Sequence, residues 1–473
     1  MTQKHLNELL CHSLFICILI SRNKKSNKKE RIQLCNIFKK EKVLHKILIN
    51  ITNEYIMSKS NIRYIRIITR TYVMIRKGEM DMEQKYHKLQ MPQFITGRGS
   101  ISFFATLGKK RIGVICGGRS LNDELKVKIE RLAEAAGAEL CYLTQIRNEP
   151  YVEDIFRCMD DVRKFNPDMF LAIGGGSVMD TAKAIHLFYE NPEMTFEEAL
   201  VPFQLPPLGK KAILVAAPTT SGTGAEATTC GVFIDSVTRE KKIILDHKLL
   251  PHYAILDANL TDSMPSSVTS ATGMDALTHA IEAATAVNAS AMVRVMAMEA
   301  AVDILENLEI VVSDGEMTER KKDAREKMHV AAGLAGVAIT NCCTGIAHSY
   351  AHMGPAYSFA HGSVCGLMLP YSMKYVGIHP AYVTISKRLG YRGSDRELTQ
   401  ALIDHIFALM KNLNMKTTFK EFGISRDRYM EDAKVWAKIS LEQFPTVVSP
   451  AEMTFEKGLT YYEEVFDGVY PVV

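Results

Sequence analysis

The chain has 473 residues, 47% of them hydrophobic and 23% charged, which is enough apolar content for a full core and a length that favours two or three domains. Its formal charge of +4 hides an asymmetry: residues 1–80 hold 17 Lys and Arg against five Glu, a net +12, while the remainder holds 40 basic against 48 acidic residues, a net −8. An acidic body offers no clustered basic face for releasing phosphate counterions, which excludes nucleic acid as a partner.

The first 80 residues are rich in Ile, Lys, Asn and Arg, contain no Asp, and lack regular periodicity. They read as a basic N-terminal extension, either a disordered or membrane-surface arm or an upstream reading-frame extension with the working chain starting at Met80 or Met82. Within them, Leu9 to Ile20 is apolar apart from His12 and Ser13. That run is too short to span a bilayer and no small-residue cleavage site follows, so it is not read as a signal or a spanning anchor. The ten cysteines form no CxxC pair, and Cys342 and Cys343 sit in a stretch that reads as buried helix. A reduced, cytoplasmic protein is expected.

From Gln93 short apolar runs alternate with amphipathic stretches, the signature of a parallel sheet flanked by helices. Strands are predicted at Arg111 to Cys116, Met169 to Ile173 and Ala212 to Ala217, and helices at Asp123 to Ala136 and Val178 to Phe188. Beyond about Ser270 strand signals fade and Ala, Met and Leu recur at helical spacing, including Met292 to Leu308 and Lys327 to Ile339. The expected fold class is therefore α/β plus all-α: a Rossmann-like dinucleotide-binding domain over 93–270 and an all-helical metal-binding domain over 271–473.

Three strand ends carry small-residue loops. Gly174, Gly175, Gly176 and Ser177 stand between a strand and a helix, where missing Cβ atoms and free N–H groups at a helix start suit a pyrophosphate. This is not the GxGxxG fingerprint, and a tight turn explains four such residues alone equally well. Pro218 to Glu226, PTTSGTGAE, follows the next strand and offers small donors from Thr219 to Thr223. Gly117, Gly118, Arg119 and Ser120 follow the first strand without an acid to pair a ribose 2′-hydroxyl, which leans toward NADP over NAD.

The helical half supplies candidate metal ligands. Asp275 and His279, in GMDALTHAIE, are four apart and so share one helix face. In GIAHSYAHMGPAYSFAHG, three of the chain's 14 histidines fall together: His348 and His352 at helical spacing, and His361 after a Gly-Pro turn expected to bring the chain back. Clustered histidines in apolar surroundings are costly to bury without partners. Imidazoles with one carboxylate suit Fe²⁺ or Zn²⁺ rather than Mg²⁺ or Ca²⁺.

Together GGGSVMDTAK, PTTSGTGAE, GMDALTHAIE and the AHSYAH…AHG segment, in this order, resemble the iron-containing (type III) alcohol dehydrogenases, a group with lactaldehyde, propanediol and butanol dehydrogenases. The likeness runs from about Gln93 to the C-terminus. It implies hydride transfer between NAD(P)(H) and a small primary alcohol, diol or aldehyde, a metal between the two domains, and a homodimer. By the same resemblance the metal ligands are Asp275, His279, His348 and His361, with Fe²⁺ expected first and Zn²⁺ as the alternative. His352 matches the histidine associated with proton movement. Gly175, Gly176, Ser177 and Asp180 match the pyrophosphate turn, Thr219, Thr220 and Thr223 the loop along the cofactor, and Lys242 a cofactor-contacting lysine, with one residue fewer after it. Gly117, Gly118 and Ser120 look like the glycine-rich turn of NADP-dependent relatives. The chain departs from the pattern in a His352-to-His361 interval one residue short and in Ala360, where Pro usually precedes the last ligand. Rival readings are a dehydroquinate synthase-like lyase, a glycerol dehydrogenase-like polyol oxidoreductase, and a sensor that keeps cofactor and metal without turnover. The lyase family places Glu at the first ligand, where Asp275 stands, and the fused aldehyde–alcohol dehydrogenases are set apart because no second large catalytic segment precedes Gln93.

Overall fold

Both faces of the central sheet are covered, and its strands are accordingly short runs of aliphatic residues rather than alternating ones. The computed structural model describes residues 87–118, 121–146, 150–236 and 241–473, so the N-terminal extension, its apolar run, Met80, Met82, Arg119 and Ser120 lie outside the described residues. Strands β1 (Gln93–Thr96), β2 (Arg111–Gly117), β3 (Glu139–Ile146), β4 (Met169–Gly174), β5 (Ile213–Pro218) and β8 (Tyr253–Leu256) form one sheet in the order β1-β8-β5-β4-β2-β3. All five pairings are parallel. Strands β6 (Cys230–Ile234) and β7 (Lys241–Leu245) pair antiparallel as a separate ribbon.

Alternate residues of the central strands feed two apolar layers. Ile115, Phe170, Ala172, Leu214 and Ala216 pack with Val178, Ile185 and Phe188 of helix α2 (Gly176–Glu190). Val114, Leu171, Ile173, Val215 and Ala217 pack with Ile129 and Ala133 of α1 (Asp123–Ala135) on the other face. The chain order reverses at β2, which has β3 on one side and β4 on the other, and it is outside such a reversal that open α/β sheets bind ligands. Three strands of this sheet absent from the sequence expectation have plain reasons. β3 is a half-exposed edge strand carrying Glu139, Thr144 and Gln145, and β1 and β8 have four residues each.

After β8 the described residues contain helices and no strand. The long ones are α3 (Ser266–Thr285), α4 (Ala291–Val312), α5 (Glu319–Cys342), α6 (His361–Val376), α7 (Asp395–Asn412), α8 (Arg426–Leu441) and α9 (Phe455–Asp467). Their starts are written in the sequence: Ser290, Thr318, Ser394 and Thr454 each accept the backbone N–H three residues on. Helix α5 begins eight residues before the expected Lys327, because Thr318 caps two polar turns in which apolar periodicity has nothing to mark. Helix α3 is the buried axis of this half, with 15 of its 20 residues buried. Among the described residues no helix is long and apolar enough to cross a membrane.

Candidate metal centre

A helix buried on nearly every side should carry no unpartnered charge, yet α3 presents Asp275, His279 and Glu282 at positions i, i+4 and i+7, one stripe down its length. What meets this stripe explains it. Glu282 is clamped to the segment carrying His348: its Oε2 accepts from His348 Nδ1 at 2.6 Å, and its Oε1 accepts from the Ala347 N–H at 2.7 Å. With Nδ1 so engaged, His348 turns Nε2 toward Asp275, 3.5 Å from Oδ1. His361, the first residue of α6, approaches from the other side with Nε2 3.8 Å from the same oxygen. The His361 side chain is 47% exposed while Asp275 is 4% exposed, so the cluster opens past His361.

Sequence spacing had placed His348 and His352 on one helical turn, and the chain does otherwise. A short helix over Ile346–Ser349 ends, a second over Met353–Tyr357 starts with His352 as its N-cap, and the two histidines part. His352 Nε2 lies 3.0 Å from Ser440 Oγ of α8 and its ring stacks 6.3 Å from Trp436. The expected reversal at Gly354 and Pro355 falls instead at Ser358, in the left-handed region at φ 58°, since the Gly-Pro pair lies inside the short helix.

The electrostatics are those of a cation site. Burial alone would raise the Asp275 carboxyl, but His279, His361 and His348 hold it well below the usual range. Burial lowers His279 to about 4, keeping its ring neutral. Burial also opposes protonation of His348, yet Cys365, Glu282 and Asp275 raise it, and Cys365 and Asp275 raise His361. Asp275 Oδ1, His348 Nε2 and His279 Nδ1 are buried without a hydrogen-bond partner, a costly arrangement for three polar atoms unless something else satisfies them. An ion of charge +2 fits this donor set, so the residues present are suited to the metal that the resemblance implied.

Two members of the site were not expected. Glu282 was legible as the third residue of the α3 stripe, had the pattern been followed one turn further. Cys365 was not, because it stands one turn into α6 among apolar residues, and only packing brings its sulfur to the cluster. Donor atoms of Asp275, His348, His361 and Cys365 all lie within 4.8 Å of one another. His279 is outside that set of four, its ring stacked on His348 at 4.6 Å with 16° between the planes.

The loops expected to receive the nucleotide adjoin this cluster. The Thr219 N–H donates to Gly174 O at 2.9 Å, tying the start of PTTSGTGAE to the glycine turn, and a methyl carbon on Gly176 would lie 3.0 Å from the Thr223 side chain. Thr220 likewise flanks Gly175 at 3.4 Å. Farther along, Gly222 packs on Thr272 of α3, one turn before Asp275, so closely that an added Cβ would come within 2.4 Å of it. Gly175, Gly176, Ser177, Thr219, Thr220 and Thr223 thus occupy the C-terminal ends of β4 and β5, while Gly117 and Gly118 end β2 beside them. Asp180 faces elsewhere, its Oδ2 accepting from the Val232 N–H at 3.0 Å and its Oδ1 3.7 Å from the buried Lys183. Lys242 sits half-buried in β7, on the side of buried Ile244. Lys241, exposed and on the opposite side of that strand, adds to the burial that brings His352 down to about 4.

Two family models match the chain: "Iron-containing alcohol dehydrogenase" over residues 92–258 and "Fe-containing alcohol dehydrogenase family, C-terminal" over residues 269–466. An NADPH-dependent butanol dehydrogenase of Clostridium saccharobutylicum is 35% identical over 377 residues, 79% of this chain and 96% of that one. Among solved structures, the iron-containing alcohol dehydrogenase of Thermococcus thioreducens superposes with a TM-score of 0.72 at 28% identity, covering 81% of this chain and all of the other. A 1,3-propanediol oxidoreductase superposes with a TM-score of 0.73 at 25% identity, covering 80% and 100%.

Proposed function

The chain belongs to the iron-containing alcohol dehydrogenase family, metal-dependent and NAD(P)-linked oxidoreductases of alcohols and aldehydes, and from that premise we propose how its residues divide the work. Asp275, His279, His348 and His361 hold the divalent ion, Fe²⁺ first and Zn²⁺ as the alternative. When bound there, the ion supplies Lewis-acid polarisation of the substrate oxygen. The observation that carries this assignment is the contact of Gly222 with Thr272, which sets the end of a nucleotide loop one helical turn from the unpartnered Asp275 oxygen.

The chain's own groups do the rest. Gly175, Gly176 and Ser177 start α2, whose free N–H groups and positive end receive the pyrophosphate, with Gly117, Gly118 and Ser120 at the adenosine side and NADP preferred. Thr219, Thr220, Thr223 and Lys242 lie along the cofactor, and Asp180 ties α2 to β6 through the Val232 N–H. Such a cradle aligns the nicotinamide with the carbon that gains or loses hydride. His352, neutral near pH 7 because burial lowers it to about 4, relays the proton to or from solvent. The substrate is a small primary alcohol, diol or aldehyde, the assembly a homodimer, and the compartment the cytoplasm.

A panel of short aldehydes and diols, run with NADH and with NADPH on protein reloaded anaerobically with Fe²⁺ or Zn²⁺, tests this reading. Reduction of a short aldehyde that is lost on chelation and recovered on reloading is expected. Undiminished turnover by protein shown to be free of metal would overturn it.

A further inference from the structure

We propose that His329 is a positioning residue for the cofactor: from α5 it anchors Ser221, and through Ser221 it fixes the shape of the loop Pro218 to Glu226. The proposal rests on the reading of that loop as the one along the nicotinamide dinucleotide. His329 Nδ1 lies 3.0 Å from Ser221 Oγ, a contact between residues 108 positions apart. The histidine is 1% exposed and the serine 5%, and Nε2 has no hydrogen-bond partner, so the bond to Ser221 is what the buried imidazole has in exchange for its lost water. A histidine sealed in this way costs more than a leucine of similar size, unless its bond does something that packing cannot.

The loop needs such an anchor. Among the described residues, none of the N–H groups from Thr220 to Gly224 donates to a backbone carbonyl, so no ladder holds this stretch and those donors are left for a ligand. Thr220 and Thr223 lie against Gly175 and Gly176 of the glycine turn, whereas Ser221 turns the other way, onto α5. His329 opens a stripe on that helix, with Gly333, Gly336 and Thr340 at i+4, i+7 and i+11. Each meets the loop or the short turn after it. A Cβ on Gly333 would lie 3.6 Å from Glu226 Oε1, one on Gly224 would come within 2.5 Å of Gly336 Cα, and Thr340 Oγ1 donates to Ala227 O at 2.9 Å. Those contacts hold the chain from Gly224 onward, and Gly222 rests on Thr272 of α3. The bond to His329 holds the residue before them, next to Thr220.

Equilibrium binding of NADPH to the full, metal-loaded chain, followed by nucleotide fluorescence, tests the anchor without turnover. Ser221→Ala and His329→Leu should each weaken binding about three- to tenfold, the worth of one buried hydrogen bond, with metal content retained and the thermal melt reporting a folded protein. In steady state the loss should fall on the KM for NADPH more than on kcat, a split that a merely destabilised enzyme does not show. Because the histidine acts through the serine, the double variant should bind no more weakly than the weaker single one. Unchanged binding in Ser221→Ala overturns the anchor, as do losses that add in the double variant. Should His329→Leu fail to fold, His329→Met, whose flexible chain fills the same space, completes the cycle. A parent chain that binds neither NADPH nor NADH overturns the reading of the loop, and the anchor with it.

Discussion

A carboxylate that touches no substrate sets the geometry of the candidate site. Glu282 fixes which nitrogen of His348 faces Asp275 by accepting from the other at 2.6 Å, and it holds the backbone of the same segment through Ala347. Replacing Glu282 by Gln leaves one oxygen and loses the charge, so metal affinity is expected to fall about 10–100-fold, measured by competition with a chelator. Unchanged affinity would show that His348 needs no such brace. Substitution separates the histidines as well. His279→Ala and His361→Ala should lose metal and turnover together, read by metal content and rate. His352→Ala should keep its metal, slow down and change its pH profile, because this ring is bonded to Ser440 rather than to the cluster. A metal-loaded His352→Ala enzyme with the parent profile would remove the proton role.

Elements meet at the centre with no spare room. Gly362, next to His361, packs on α3 so closely that an added Cβ would come within 2.9 Å of Asp275 Cβ and closer still to the Ala271 carbonyl. Backbone cannot give way as a side chain can, and Gly362→Ala should destabilise the protein by about 1–3 kcal/mol and weaken metal retention as α6 is pushed off α3. Thermal melts with and without metal check both effects. The residue before His361 behaves in the opposite way. Ala360, which caps α6, has φ −59° and ψ 125°, a conformation that proline adopts unstrained. Ala360→Pro is expected to raise stability by about 0.4–1 kcal/mol, through a less flexible unfolded chain. A fall in the midpoint would show that Phe359 or the Ala360 N–H cannot accept the ring. The missing proline is then a change of residue with little change in path.

The whole chain should be sensitive to acid through its buried histidines. Burial holds His252, His329 and His352 at about 4, below the ordinary 6.5. Between those values the unfolded chain binds protons that the folded chain refuses, so the stability they contribute is complete above pH 6.5 and is lost as pH falls toward 4. Glu226, buried and raised to about 7, acts in the opposite sense over 4.5 to 7, whereas the raised His348 and His361 act in that sense only above pH 6.5. The lowered histidines, which also include His247, His279, His379 and His405, outnumber them. The melting temperature of the chelated protein should therefore drop from pH 6.5 to 4.5, and a flat or rising profile would contradict the balance. At this scale the contributions of sequence and tertiary structure also separate. Local pattern sufficed for the central strands β2, β4 and β5, the helices α1 and α2, the bodies of α4 and α5, and the glycine and threonine loops, because each depends on neighbours a few residues away. The family, and with it the chemistry, followed from four motifs in order. It did not suffice for the edge strand β3, for the break between His348 and His352, or for the start of α5, where exposure or polarity erases the periodic signal. The bond of Glu282 to His348, the contact of Thr272 with Gly222 and the arrival of Cys365 beside His361 were decided only by folding. A side chain's spacing along one helix says which face it occupies, whereas the oxygen, sulfur or nitrogen brought opposite that face comes from segments 66 to 90 residues away, through packing that no local pattern encodes.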